Sequence, residues 1–208
     1  MIMTPRMKKI IPCVLLLLIL NGCSVEKEVV FDGATMGTTY QVKIVAGYFK
    51  NTSGLKKKID NRLQAINQSM STYLPDSELS RFNVIRDTRG KLAVSDDFLQ
   101  VMRAARDIYE KTGGAWDGTV KPLLNLWGFG NTQQTHRVPD DAEIGKQMRG
   151  VGFQHIRIFP EGYLQKKKNS LTLDLASIAK GYAVDQVSDL LRTCLLYTSD
   201  AADDNRVV

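Results

Sequence analysis

Cysteine is scarce in this chain: 208 residues carry three, at positions 13, 23 and 194. Three scattered cysteines make no disulfide framework, so the fold must rest on a hydrophobic core, which a chain of this length can bury within one domain. Long apolar runs are missing as well. The stretch from Ile10 to Leu20 is eleven residues, whereas a helix spanning a bilayer needs about 20, which excludes a permanent span there. Neither an internal repeat nor a low-complexity segment is present, which sets aside repeat arrays and solvated tails. Acidic charge is in the minority: 28 Lys and Arg oppose 22 Asp and Glu, for a formal net charge of +6.

What is present begins at the N-terminus. Arg6, Lys8 and Lys9 precede the apolar run, the order of a bacterial secretion signal. The run closes on Leu20-Asn21-Gly22-Cys23, which resembles the lipobox at which a prolipoprotein is cleaved and acylated on its cysteine, with Asn21 an uncommon occupant. The expectation is a signal peptide over residues 1–22 and a lipidated Cys23 that ties an otherwise soluble domain to the membrane. Export to the cell envelope makes nucleic acid an unexpected partner. Lys56, Lys57 and Lys58, and the run Lys166 to Lys168 in a predicted hairpin, therefore read as solvated faces.

After a short linker, TTYQVKIV (38–45) alternates Thr38, Tyr40, Val42 and Ile44 against Thr39, Gln41, Lys43 and Val45, the period of a strand. It is entered through Gly33-Ala34-Thr35-Met36-Gly37, where two glycines allow a tight turn and close approach to something bulky. Leu55, Ile59, Leu63, Ile66 and Met70 predict an amphipathic helix over 53–70. Ser95 caps a second, with Asp96 and Asp97 in its first turn and Gly113-Gly114 at its end. AWDGTVKPLLNLWGFG (115–130) is apolar but broken by Pro122, Gly128 and Gly130, so it reads as a packed loop with one short helix. HIRIF (155–159), YLQKKK (163–168) and SLTLDL (170–175) read as successive strands before a third helix from about Ser177. The order is that of an α+β domain with a mixed or antiparallel sheet packed against helices.

In the stretch LTLDLASIAKGYAVD (171–185), strand alternation turns Leu171, Leu173 and Leu175 one way and Asp174 the other. Asp174 then sits at the carboxyl end of a strand before a helix, a common position for ligand-binding groups. With Ser177 as N-cap, Lys180 falls in the first helical turn, where a cation is unfavourable unless an anion lies nearby. Two explanations stand: an ion pair with Asp174 or Asp185, or plain solvation, on one side, and a phosphate held at the helix N-terminus on the other.

Four segments in order, GATMGTTYQV (33–42), MSTYLPDSELSRFN (70–83), GGAWDGTVKPLLNLWGFG (113–130) and LDLASIAKGYAVD (173–185), resemble the successive blocks of the ApbE-type FAD:protein FMN transferases. The resemblance implies an ApbE-like, T-fold-like domain. It also implies FAD as substrate with Mg²⁺, and transfer of FMN to a Ser or Thr of an acceptor protein with release of AMP. By the same resemblance Met36 and Tyr73 contact FAD, as a flexible thioether and an aromatic ring suited to a flat ring system; core packing is the alternative for both. Ala115, Trp116 and Asp117 match a tripeptide lining the FAD pocket, Trp116 in its variable place. Asp174 and Lys180 match FAD-contacting positions, although the family often has Glu where Lys180 stands. Ser177 matches the position of a magnesium ligand, one that the resemblance implies acts through its backbone carbonyl. The family is commonly placed at the periplasmic face of the inner membrane, while Ser24 is not the aspartate of an inner-membrane retention signal. Residues 23–192 are expected to be the N-terminal part of the transferase domain. The tail 193–208, CLLYTSDAADDNRVV from Cys194, departs from helical patterning and reads as non-native, with the remaining magnesium ligands and catalytic groups in a second half and this chain inactive by itself. A lipid-anchored FAD-binding protein without transfer chemistry is the other functional reading.

Overall fold

The computed structural model describes residues 26–129 and 137–196; the signal segment, Cys23 and the tail from residue 197 lie outside them. It opens with a β-hairpin. Strand β1 (Glu26–Thr35) pairs antiparallel with β2 (Thr38–Gly47), from Glu26 against Gly47 to Thr35 against Thr38. Residues 26–32, expected to be a linker, thus belong to this hairpin; Val29 and Phe31 pack against the core while Glu28, Val30 and Asp32 between and beside them are exposed. The connection is the two-residue turn Met36-Gly37, with φ of 51° and 73°. Positive φ at both places is the turn that matches the right-handed twist of paired strands. Gly33 serves a second need, because a Cβ there would lie 2.4 Å from the ring of Tyr40, its cross-strand partner. The bulky neighbour expected of this glycine is therefore a side chain of the protein itself.

Helix α1 (Leu55–Met70) buries Leu55, Ile59, Leu63, Ile66 and Met70, the stripe read from the sequence. Helix α2 (Glu78–Val84), not anticipated, is capped by Ser77, whose Oγ accepts from the Ser80 amide at 3.0 Å, and it buries Leu79 and Phe82. After the short strand β3 (Leu92–Ala93), helix α3 (Asp96–Lys111) starts at Ser95 as expected and closes on Gly113 and Gly114, both with positive φ. The Gly114 amide donates to the Tyr109 carbonyl at 2.8 Å, the bond that satisfies an orphaned C-terminal carbonyl. Helix α4 (Lys121–Leu126) is the one short helix expected after it. Helix α5 (Asp141–Met148), absent from the sequence reading, opens with a capping box between Asp140 and Glu143.

A three-stranded sheet follows in the order β3, β5 (Tyr163–Lys166), β4 (Ile156–Phe159), all antiparallel. Helix α6 (Ala176–Leu196) completes the described fold and lays Ala179, Ala183, Val187 and Leu191 against α1. It runs through Cys194, where the sequence suggested that helical patterning stops. The core joins hairpin, helices and sheet around Phe82, Phe98 and Phe153, each burying a side chain that contributes about 1.5–3 kcal/mol. A polar network crosses it: Arg62 donates to both Asp97 carboxylate oxygens at 2.6 Å, and the Tyr182 hydroxyl donates to Asp97 at 2.6 Å. Burial, followed by the Asp97 hydrogen bond, pushes the Tyr182 pKa up to about 12. The Arg62 guanidinium holds the Asp97 carboxyl below the usual carboxylate range.

One predicted strand is absent. Residues 171–175 alternate as expected, with Leu171, Leu173 and Leu175 buried, yet they join neither sheet. The Asn83 carboxamide supplies what a neighbouring strand would have: its Nδ2 donates to the Leu173 carbonyl at 2.9 Å, and its Oδ1 accepts from the Leu173 amide at 2.7 Å.

Candidate functional site

The glycine pair ending α3 leads into the loop 115–120. The Trp116 amide donates to Thr112 Oγ1 at 3.1 Å. Asp117 spends both carboxylate oxygens nearby: Oδ1 accepts from the amide and hydroxyl of Thr119 at 2.7 and 2.6 Å, and Oδ2 accepts from the Phe153 amide at 3.0 Å. Thr119, fully buried, accepts in turn from the Gly152 amide at 2.7 Å. Asp117 therefore organises the loop with its side chain. Trp116 lies at a tilt against Phe153, ring centroids 6.2 Å apart and planes 53° from parallel, and points its indole N–H at the Ser177 hydroxyl, 3.2 Å away.

That last bond ties the loop to the start of α6. So does a backbone bond from the Asp174 amide to the Gly118 carbonyl at 2.8 Å. The helix starts one residue earlier than expected. The Leu175 carbonyl accepts from Ile178 and Ala179, and the Asp174 carboxylate accepts from the Ala176 amide at 2.9 Å. Ser177 is thus not the N-cap; Asp174 satisfies a first-turn amide instead, in the manner of capping carboxylates. Lys180 moves from the first turn to the second, exposed, and forms no ion pair with Asp174 or Asp185 among the described residues.

Of the residues singled out in the sequence, Ala115, Trp116, Asp117, Asp174 and Ser177 come together at this junction. Met36 and Tyr73 belong to two other turns. Met36 occupies the hairpin tip, partly buried against the core in the left-handed region. Tyr73 is 73% exposed on the turn after α1, where Ser71 accepts from the amides of Tyr73 and Leu74 at 3.1 and 3.2 Å. The Ser77 hydroxyl donates to the Ser71 carbonyl at 2.6 Å. Helix α2 then spans from this serine-locked turn to Asn83, and so connects Tyr73 to the Asp174 segment.

The sequence reading missed three groups that hold the site. Ser77 had a visible signal, an N-cap residue followed by Leu79 and Phe82 at helical spacing. Asn83 and Lys166 had none. Lys166, expected on a solvated face, is 2% exposed, and its ammonium donates to the carbonyls of Asn83 and Ile85 at 3.2 and 3.1 Å. It lies 4.8 Å over the Phe82 ring and closes the carbonyl end of α2, where a cation is favoured. Burial, with the Arg86 charge as a lesser cause, pushes its pKa down to about 8.

Two clefts accompany this arrangement. One of about 310 Å³ lies between the hairpin tip and α1, lined by Thr35, Tyr40, Asp60 and Asn67, beside the turn of Met36. A larger one of about 540 Å³ lies between α3 and β4 and is lined by none of the predicted site residues. The junction is the stronger functional candidate, because it gathers the polar groups that could meet a nucleotide. As a magnesium site it does not suffice. Among the described residues no three His, Cys, Asp or Glu side chains converge to hold a metal.

Comparison with known proteins agrees with the fold and the order of segments. The model of the ApbE family matches residues 36–196. A curated FAD:protein FMN transferase of Vibrio cholerae is 42% identical over 180 residues, covering 85% of this chain and 53% of that protein. One of Haemophilus influenzae is 38% identical over 194 residues, covering 89% and 56%. The chain thus spans about half the length of the curated relatives it matches. Among solved structures, the flavin transferase ApbE from Vibrio cholerae superposes with a TM-score of 0.76 at 39% identity, over 81% of this chain and 54% of the other. The apo flavinyl transferase ApbE of Pseudomonas stutzeri gives 0.74 at 35%, with the same coverage. Strand β2, the serine-locked turn and the loop–helix junction lie within the span matched by the family model, and the chain belongs to the ApbE family.

Proposed function

We propose that this chain carries the FAD-binding part of an FAD:protein FMN transferase. The observation that carries the reading is the junction in which Trp116 meets Ser177 and Asp174 meets Gly118, because it fixes residues from two separate blocks as one surface. The exposed Tyr73 ring and the Met36 thioether would offer apolar faces to the flavin. Asp174 faces the nucleotide, and Lys180 can reach a phosphate from the second turn of α6. In the reaction the oxygen of an acceptor Ser or Thr bonds to the phosphorus on the FMN side of the pyrophosphate. The P–O bond to the other phosphate breaks, AMP leaves with the bonding pair, and the hydroxyl loses its proton. Catalysis of this kind is mainly positioning and charge neutralisation. Magnesium would supply neutralisation on the pyrophosphate; the described residues form no acidic cluster to hold it.

The same reading places the protein at the periplasmic face of the inner membrane, held by acyl chains on Cys23. A palmitate analogue should label the wild type and not Cys23→Ser, and equal labelling of both overturns the anchor. For the activity, FAD is titrated into the chain by flavin fluorescence, then an acceptor protein and Mg²⁺ are added, and covalent flavin and free AMP are measured. FAD binding without AMP release is the result expected of an FAD-binding part whose catalytic groups lie in a second half, and absence of binding refutes the reading. AMP release with flavin on the acceptor, from this chain alone, would overturn the placing of those groups outside it.

A further inference from the structure

The outer edge of β4 is built differently from the rest of the sheet. Pairing of His155 with Lys167, seen in the Lys167 amide donating to the His155 carbonyl at 2.8 Å, turns the backbone groups of residues 155, 157 and 159 toward β5. Residues 156, 158 and 160 then turn outward, on the side away from β5 and β3. Two of these positions are occupied by arginines of α3: Arg106 donates to the Ile156 carbonyl at 2.5 Å and Arg103 to the Pro160 carbonyl at 3.3 Å. Between them, the amide and carbonyl of Ile158 face the cleft of about 540 Å³. Arg157 and Lys167, both exposed, add two more cations to its lining, against one acid, Glu110.

An open strand edge ordinarily is a liability, and arginines laid along it block pairing with apolar strands. The same arginines select for a chain that brings carboxylates. We infer that the cleft between α3 and β4 is a docking site for an extended acidic segment of another protein. The segment pairs its backbone with Ile158 and sets its carboxylates against Arg103, Arg106 and Arg157. The charge of the lining favours this occupant over an apolar strand. The outward amide of Ile158 and its neighbouring carbonyl require a partner with both acceptor and donor at peptide spacing.

The test uses the full chain and a fluorescein-labelled peptide of alternating Glu and Thr, with binding read by anisotropy. Wild type should bind it, and Arg157→Glu should weaken binding about tenfold at low salt, as expected when a like charge opposes a ligand's. Ile158→Pro removes the outward amide and spares the ladder to β5, where proline is tolerated on an edge. It should weaken binding about tenfold through the lost backbone bonds. A peptide N-methylated on alternate residues probes the same bonds on an unmodified protein and should lose affinity likewise, whatever the stability of the proline variant. Absence of peptide binding, or full competition by inorganic phosphate, would overturn the inference. So would binding that neither Ile158→Pro nor N-methylation changes, which marks a merely basic surface.

Discussion

Lys166 is where the physics of the site can be measured most directly. Its ammonium is 2% exposed and has two carbonyl partners, Asn83 and Ile85, with no carboxylate among the described residues. A pKa pushed down by burial to about 8 means that the folded protein disfavours the charged amine by about 3 kcal/mol relative to the unfolded chain. The folded value lies below the unfolded one, so between pH 8 and the ordinary lysine range the unfolded chain binds more protons. Stability therefore rises with pH across that window, and the penalty is fully present below it. From pH 7.5 to 9.5 the gain is about 2 kcal/mol. Lys166→Met keeps the length of the side chain and removes the titration, leaving the two carbonyls without their donor. Denaturant melts of both proteins across this range should diverge by that amount, with the wild type gaining. Tyr182, at about 12, works in the opposite direction only above the ordinary tyrosine value, which closes the useful window at pH 9.5. A difference between the two proteins that stays constant from pH 7.5 to 9.5 would refute the buried, titrating lysine.

Three further outcomes are expected. Asp174→Ala removes one acceptor from the first turn of α6, about 1 kcal/mol of stability, while FAD affinity falls at least tenfold; melting and flavin titration on one sample separate the two effects, and a large loss of stability with unchanged affinity would make the carboxylate structural. Asp117→Ala orphans the Thr119 and Phe153 donors and should destabilise by about 2–4 kcal/mol, visible as a lowered denaturant midpoint, whereas a change within 0.5 kcal/mol would place those bonds outside the energetics. Met36→Gly relieves a non-glycine residue of its positive φ and should stabilise by about 1 kcal/mol while weakening FAD binding; loss of stability would show that the packing of the thioether outweighs the strain of the turn.

Periodicity by itself determined the elements whose signal is local. The stripes of α1 and α3, the Ser95 cap and the alternation of β2 and of 171–175 were all legible, because 3.6- and 2-residue repeats follow from backbone geometry whatever the partner. Two short helices were legible too in their caps, Ser77 before α2 and the Asp140–Glu143 box before α5, but their few apolar residues left no strong period. The blocks around Met36, Tyr73, Trp116 and Asp174 named the family.

Only the tertiary structure decided what those residues touch. Alternation in 171–175 said which side chains are buried but not what satisfies the backbone, and the answer is a carboxamide 90 positions earlier in the chain. The lysine run 166–168 looked solvated because charge favours water; Lys166 is buried because the end of α2 presents two carbonyls that its ammonium can satisfy. Residues 26–32 carry four charges, at 26, 27, 28 and 32, and read as a linker until the partner strand shows that Val29 and Phe31 face the core. Hydrogen bonds between distant segments leave no periodic trace in either, so no window of sequence contains them.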